Sequence, residues 1–152
     1  MKSPKQRNPK IDMSKLLSEI EDISIFDEIP SMKIESFLKD LYYNIDKYSA
    51  GETIVEEGQE FDYFGIIIEG EIIESGNGNP QSLKKGNEIG LLEQIMDSKK
   101  FTKMYSAKTD CLILWCRLKH YIAVSQFVTN NDYNPFVENL LRQTAESAIK
   151  AS

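Results

Sequence analysis

The sequence predicts a mainly β domain, a sandwich or roll of short antiparallel strands with helices at both ends. Between Tyr48 and Glu74 the glycines Gly51, Gly58 and Gly70 punctuate two apolar runs, Thr53-Ile54-Val55 and Phe64-Gly65-Ile66-Ile67-Ile68. Runs this short, β-branched and bounded by Gly read as strands rather than helix. Further short runs follow, with turn signals about every 8–12 residues, which is the spacing of a sandwich or roll. Before Leu41 and after Leu118 the apolar residues recur instead at helical spacing.

The chain opens with Met1 to Lys10, which carries lysines, an arginine and two prolines and almost no apolar surface. This predicts a disordered arm over residues 1–11, a solvated tail rather than a phosphate-seeking one. Helical period begins at Asp12. Ser14 is placed as a cap, with Leu16, Leu17 and Ile20 on one face. Ile23, Ile25 and Phe26 form an apolar knot. Ser31 then caps a second helix whose Met32, Ile34, Phe37, Leu38 and Leu41 face inward.

Strands are placed near Tyr43–Tyr48, Thr53–Glu56, Tyr63–Glu69, Glu71–Ser75, Ser82–Lys84, Thr102–Ala107 and Cys111–Arg117. The acidic turn Glu56-Glu57-Gly58-Gln59-Glu60 joins two of them. Asn77-Gly78 marks a hairpin loop, because Asn-Gly supplies the positive φ of tight turns. Trp115 is read as a packing residue of the last strand. A short helix follows with Tyr121, Ile122, Val124 and Val128. Asn134 caps a final helix with Pro135 at its first position. Its stripe of Phe136, Val137, Leu140, Leu141, Thr144, Ala145 and Ala148 fits either a dimer seam or a face packed back on the roll.

Composition excludes several function classes. At 152 residues the chain suits one domain that buries roughly two-thirds of its unfolded surface. Its net charge of −6 argues against nonspecific duplex binding over the whole surface, while leaving room for a local basic patch. No run approaches the ~18 apolar residues of a membrane helix, and no apolar segment follows the N-terminal lysines, so neither membrane nor secretion is expected and a cytoplasmic location is. Cys111 and Cys116 lie five apart in one strand, point to opposite faces and read as reduced thiols. Cys116 is a candidate redox-responsive thiol, with only Arg117 nearby in sequence to lower its pKa. A single histidine, His120, leaves too few ligands for a zinc or iron–sulfur site of the usual kind, and no cofactor is expected. No nucleophile elbow, P-loop or dinucleotide fingerprint appears, so no enzymatic activity is expected.

Several motifs together resemble a known family. Gly51-x-x-Ile54, Glu57-Gly58 and Tyr63-Phe64-x-Ile66-Ile67-x-Glu69-Gly70 look like the opening of a cyclic-nucleotide-binding domain of the Crp/Fnr regulators. Ile25-Phe26-Asp27-Glu28-Ile29-Pro30 resembles the family's approach to its β-roll. The segments Leu112 to Ile122 and Val137 to Arg142 resemble its last strand, following helix and dimer helix. The resemblance spans roughly Leu16 to Ile149. It implies an antiparallel double-stranded β-roll, or jelly roll, over residues 12–129, with N-terminal helices and a dimer-type C-terminal helix over 130–152. It also implies a small-molecule, nucleotide-like effector and a homodimer. DNA contact would come only through a helix-turn-helix domain beyond Ser152.

In the family, helix N-terminal amides, a glutamate after a glycine and a later arginine hold the nucleotide's phosphate and ribose. The matching segment runs from Leu83 to Ile95 and on from Lys99 to Ala107. Its candidate ligand residues are Glu88, Ile89, Gly90, Leu91, Leu92, Lys99, Lys100, Phe101, Thr102 and Tyr105. The match fails at two positions. Leu91 stands where the ribose glutamate is expected, and Phe101 where the phosphate arginine is expected. Each lost charge-assisted contact costs about 1.5–3 kcal/mol, so the two together weaken binding by roughly two to four decades. Glu88 and Glu93 flank the spot and repel an anion. Two readings follow: a sensor for an effector other than cyclic AMP, or a degenerate roll, plugged by Leu91, Phe101 and Tyr105, that binds protein partners. Lys99, Lys100 and Lys103 remain as a looser anion site.

Overall fold

A computed structural model of the chain describes residues 13–27, 29, 31–40, 43–60, 62–76, 78–91, 100–117 and 142. Helix α1 (Met13–Ile20), a 3-10 turn (Ser24–Phe26) and helix α2 (Ser31–Asp40) precede the strands. These are β1 (Asn44–Tyr48), β2 (Thr53–Val55), β3 (Phe64–Glu69), β4 (Ile72–Ser75), β5 (Gln81–Leu83), β6 (Glu88–Ile89), β7 (Met104–Ala107) and β8 (Cys111–Cys116). The predicted strands are all present, with ends that differ by one or two residues. The two-residue β6 was not foreseen, because its Glu88-Ile89 is too short to show a period. The predicted arm, the helix after Leu118 and the C-terminal helix with Phe136, Val137, Leu140, Leu141, Thr144 and Ala148 lie outside the described residues.

The strands form two four-stranded antiparallel sheets, ordered β1-β8-β3-β6 and β2-β7-β4-β5. The first sheet is covered on both faces. Ile45, Phe64, Ile66, Ile68, Leu112, Leu114 and Cys116 pack outward against Leu16, Ile20, Ile23, Phe26, Ile34 and Leu38 of the helical layer. Tyr48, Ile67, Ile89, Ile113 and Trp115 face the roll interior, where they meet Ile54, Val55, Ile72, Tyr105 and Ala107 of the second sheet. Alternation along a strand therefore assigns successive side chains to two cores rather than to core and water. Cys111 joins the interior and Cys116 the helical layer, on opposite faces as their spacing requires. Both thiols are free and buried.

Local chemistry explains most details of the helices. Leu16 and Ile20 are fully buried, but α1 already begins at Met13, which packs on the helical layer. Ser14 is thus inside the first turn rather than its cap. Ile34 and Leu38, four residues apart, set the inward face of α2. Met32 is 86% exposed, not inward, because it lies about 200° around the helix from Ile34.

The end of the roll at Gly70 is closed by hydrogen bonds from the β7–β8 hairpin. The Glu71 amide donates to Thr109 Oγ1 at 3.0 Å and the Ala50 amide to Asp110 Oδ1 at 2.9 Å. The Lys108 and Thr109 amides return to the Glu71 carbonyl. Gly70 has φ +95°, and a Cβ there would meet the Asp110 carbonyl oxygen and, at 2.9 Å, the Cys111 Cα. Backbone on two sides cannot move away. Gly70→Ala should therefore lose at least about 2 kcal/mol of stability in urea unfolding, from strain plus overpacking.

At the same corner Lys108 Nζ lies 2.8 Å from Glu71 Oε2. The hydrogen bond from Lys108 holds the Glu71 carboxyl below the usual carboxylate range. A lowered folded pKa means that this contact stabilises above the unfolded carboxylate pKa and is lost as pH falls through the folded value. Glu71→Gln should flatten that acid limb of the stability–pH curve and leave the curve above neutral pH unchanged.

Candidate ligand-binding site

The candidate residues fall on two opposite sides of the first sheet. Strand β6 runs beside β3, with Ile89 paired to Gly65 and Glu88 to Ile66. Ile89 is fully buried in the interior. Gly90 turns the chain at φ +79°, and Leu91 then enters the helical-layer core, fully buried. The three-residue plug expected from sequence is therefore not one cluster. Leu91 packs against the helices, because the turn at Gly90 sends it to the face opposite Ile89. Glu88 stays close: its Oε2 accepts the Leu91 amide at 2.8 Å. An amide in the segment that matches the anion-binding one is thus already satisfied by the chain's own carboxylate.

Phe101 and Tyr105 are both buried in the interior. Their rings meet edge to face, 5.9 Å apart and 80° between planes, a favoured aromatic arrangement. The backbone fixes Phe101 from the other side. Its amide donates to the Gln59 carbonyl at 3.0 Å and its carbonyl accepts the Gly58 amide at 2.7 Å. A bridge between Glu60 and Lys100 continues this pairing. Lys100 and Thr102 are exposed beside it, and Lys103 Nζ lies 3.2 Å from Glu74 Oε1. Lys103 is thus paired with a carboxylate, which weakens the looser lysine site expected from sequence. Leu92 and Lys99 lie outside the described residues.

Two features were not singled out from sequence. Asp46 of β1 is the buried charged residue of the described core, fully shielded from solvent. Its Oδ1 accepts from Asn44 Nδ2 at 3.2 Å and its Oδ2 from the Tyr48 hydroxyl at 3.3 Å. Trp115 Nε1 donates to the same hydroxyl at 3.3 Å. Burial, then the Asp46 charge, pushes the Tyr48 phenol far above its usual value. The alternation Asn44, Asp46, Tyr48 carries a signal in sequence, but a lone Asp in a strand reads as solvent-facing until the second sheet covers it. The other feature is Arg117, just past β8. Its guanidinium carbon sits 5.8 Å above the centre of the Tyr63 ring, with Nη2 3.9 Å from Asp62 Oδ2. Burial alone pushes the Cys116 thiol far above its ordinary value. Cys116 is thus an inert core residue, not the redox-responsive thiol its neighbour Arg117 suggested.

No family model matches the sequence, and no curated protein matches it. Solved structures do. The chain is similar to the sensor domain of the transcriptional regulator DNR from Pseudomonas aeruginosa, at 13% identity and TM-score 0.67, covering 91% of each chain. It has the cyclic-nucleotide-binding-domain fold. It is also similar to the regulatory domain of Toxoplasma gondii PKA with cAMP, at 16% identity and TM-score 0.64, over 90% of this chain and 49% of that one. A third similar structure is the regulatory subunit of a cAMP-independent protein kinase A from Trypanosoma brucei, at 20% identity and TM-score 0.58, over 84% and 51%. On this fold the described residues include no helix long and apolar enough to cross a membrane, and no group of three or more potential metal ligands.

The placement of Leu91 separates two outcomes of one substitution. Leu91→Glu buries an unpaired carboxylate among α1, α2 and the outer face of the first sheet. It should cost about 3–5 kcal/mol in chemical unfolding. It should also create no cyclic AMP binding in a filter or fluorescence assay, because the side chain points away from the interior.

Proposed function

We propose that this domain is a non-catalytic regulatory module that does not hold cyclic AMP in the family's usual way. The observation that carries the reading is Phe101. It stands where the family places its phosphate arginine, and its ring is packed into the roll interior against Tyr105. A guanidinium there would grip phosphate bidentately; a phenyl ring offers no donor at all. Leu91, in the ribose position, faces the helices instead. Glu88 already accepts the Leu91 amide and adds negative charge where an anion would settle. The Trypanosoma brucei neighbour, described as cAMP-independent, supports the idea that this fold serves regulation without cyclic AMP.

In this reading the module senses an effector of other chemistry at the end of the roll that carries Phe101. It acts as a homodimer through Phe136, Val137, Leu140, Leu141, Thr144 and Ala148, in the cytoplasm, and reaches DNA only through a further domain. The sensor domain of DNR, a part of a transcriptional regulator, supports that setting. A second reading has its own support: the aromatic filling of the interior by Phe101, Tyr105 and Trp115 suits a roll that binds a protein partner with no small molecule inside.

Thermal-shift titration with cyclic AMP, cyclic GMP and cyclic dinucleotides at millimolar concentration tests the proposal. A ligand that binds only the folded state adds about 2.7 kcal/mol of stability at one hundred times its Kd. We expect no saturable rise in Tm with cyclic AMP. A saturable rise would restore the usual mode of binding and overturn the reading of Phe101.

A further inference from the structure

We infer that Arg117 is the oxyanion anchor at the Phe101 end of the roll, and that the effector carries a carboxylate or phosphate group. This inference rests on the effector-sensing reading above. The observation behind it is an orphaned donor. Arg117 Nε is buried and makes no hydrogen bond. Buried polar groups in native proteins almost always have partners, so such a donor calls for an acceptor. Among the described residues the Asp62 carboxylate approaches Nη2 at 3.9 Å, beyond hydrogen-bond distance. The guanidinium is instead held by the Tyr63 ring beneath it. That leaves an oriented, partly exposed guanidinium with at least one donor, Nε, unsatisfied; a guanidinium presents paired N–H groups that suit a two-oxygen anion.

Its location fits the proposed site. Phe64 pairs with Cys116 and Gly65 with Trp115, so Arg117 continues β8 beyond the interior-facing Trp115, about 7 Å along the strand. Tyr63 packs against the interior cluster that contains Phe101, Tyr105 and Trp115. The segment before Tyr63 is the one whose Gly58 and Gln59 clip the Phe101 backbone. Arg117 and Phe101 therefore share one end of the roll. The positive charge absent at Phe101 is supplied from the end of β8. Asp62, only 13% exposed, is the chain's own competitor for the same fork.

The test uses the full chain and two probes, inorganic phosphate and benzoate, titrated at constant ionic strength made up with chloride. Quenching or enhancement of Trp115 fluorescence reports binding, because Trp115 is the one tryptophan of the chain and lies two residues before Arg117. Arg117→Lys keeps the charge opposite Asp62 but removes the fork, and Arg117→Gln removes both. We expect a saturable response in the wild type to at least one probe, weakened about 10-fold or more in both variants, and tightened in Asp62→Asn. Which probe binds more tightly separates phosphate from carboxylate effectors. Equal binding by wild type and the Arg117 variants would overturn the anchor while leaving an effector site in place. No response in either the wild type or Asp62→Asn would remove Arg117 as anchor outright. The reading of Phe101 would then still be decided by the cyclic nucleotide titration, which does not depend on Arg117.

Discussion

Everything in this domain hangs on β8 being buried on both faces. The strand pairs with β1 on one side and β3 on the other, and all six of its residues are buried. Its odd residues, Cys111, Ile113 and Trp115, enter the roll interior. Its even residues, Leu112, Leu114 and Cys116, face the helical layer. One strand thus joins two hydrophobic cores that share no side chains. Helices, first sheet and second sheet become a single cooperative unit because the apolar side chains of β8 pack on both sides.

The interior is arranged around Trp115. Its partner across the ladder is Gly65, and a Cβ at Gly65 would lie 2.9 Å from the indole. The missing side chain is what lets the ring lie flat inside the roll. The indole then donates to Tyr48, and Tyr48 to Asp46, so the largest residue of the core is tied to the edge strand β1 by a buried polar chain. Phe101 and Tyr105 complete the filling from the second sheet. The interior these side chains fill is aromatic and aliphatic throughout the cluster, Cys111 apart. At the end of the strand ladder beyond Trp115, Tyr63, Asp62 and Arg117 meet.

The segment from Lys84 to Leu91 connects these cores. The Gly86 amide donates to the Ile67 carbonyl and the Ile67 amide to the Asn87 carbonyl, Lys85 reaches Glu19 and Asp22 of the N-terminal helical layer, Ile89 faces inward and Leu91 outward. The lysine contacts are exposed and contribute little to stability. The apolar anchors at Ile89 and Leu91 are what hold the segment in place.

By itself the sequence determined the mainly β class, the strand spans and the two-helix approach. These depend on local signals: β-branched runs, glycines at turns, and apolar residues four apart. It also determined that Cys111 and Cys116 face opposite ways, since strand periodicity is a property of the backbone. The tertiary structure alone decided which core each buried residue enters. A run such as Phe64 to Ile68 is apolar at every position but Gly65, so period two cannot say which face meets helices and which meets the second sheet. For the same reason the sequence placed Leu91 with Phe101 and Tyr105, while the positive φ at Gly90 sends it to the other side. The alternation Asn44, Asp46, Tyr48 hinted at a strand face but not at its burial, and Arg117 carried no local mark of its surroundings. Asp46 is set apart by its burial and Arg117 by its unsatisfied Nε, and both features exist only once distant strands have closed around them.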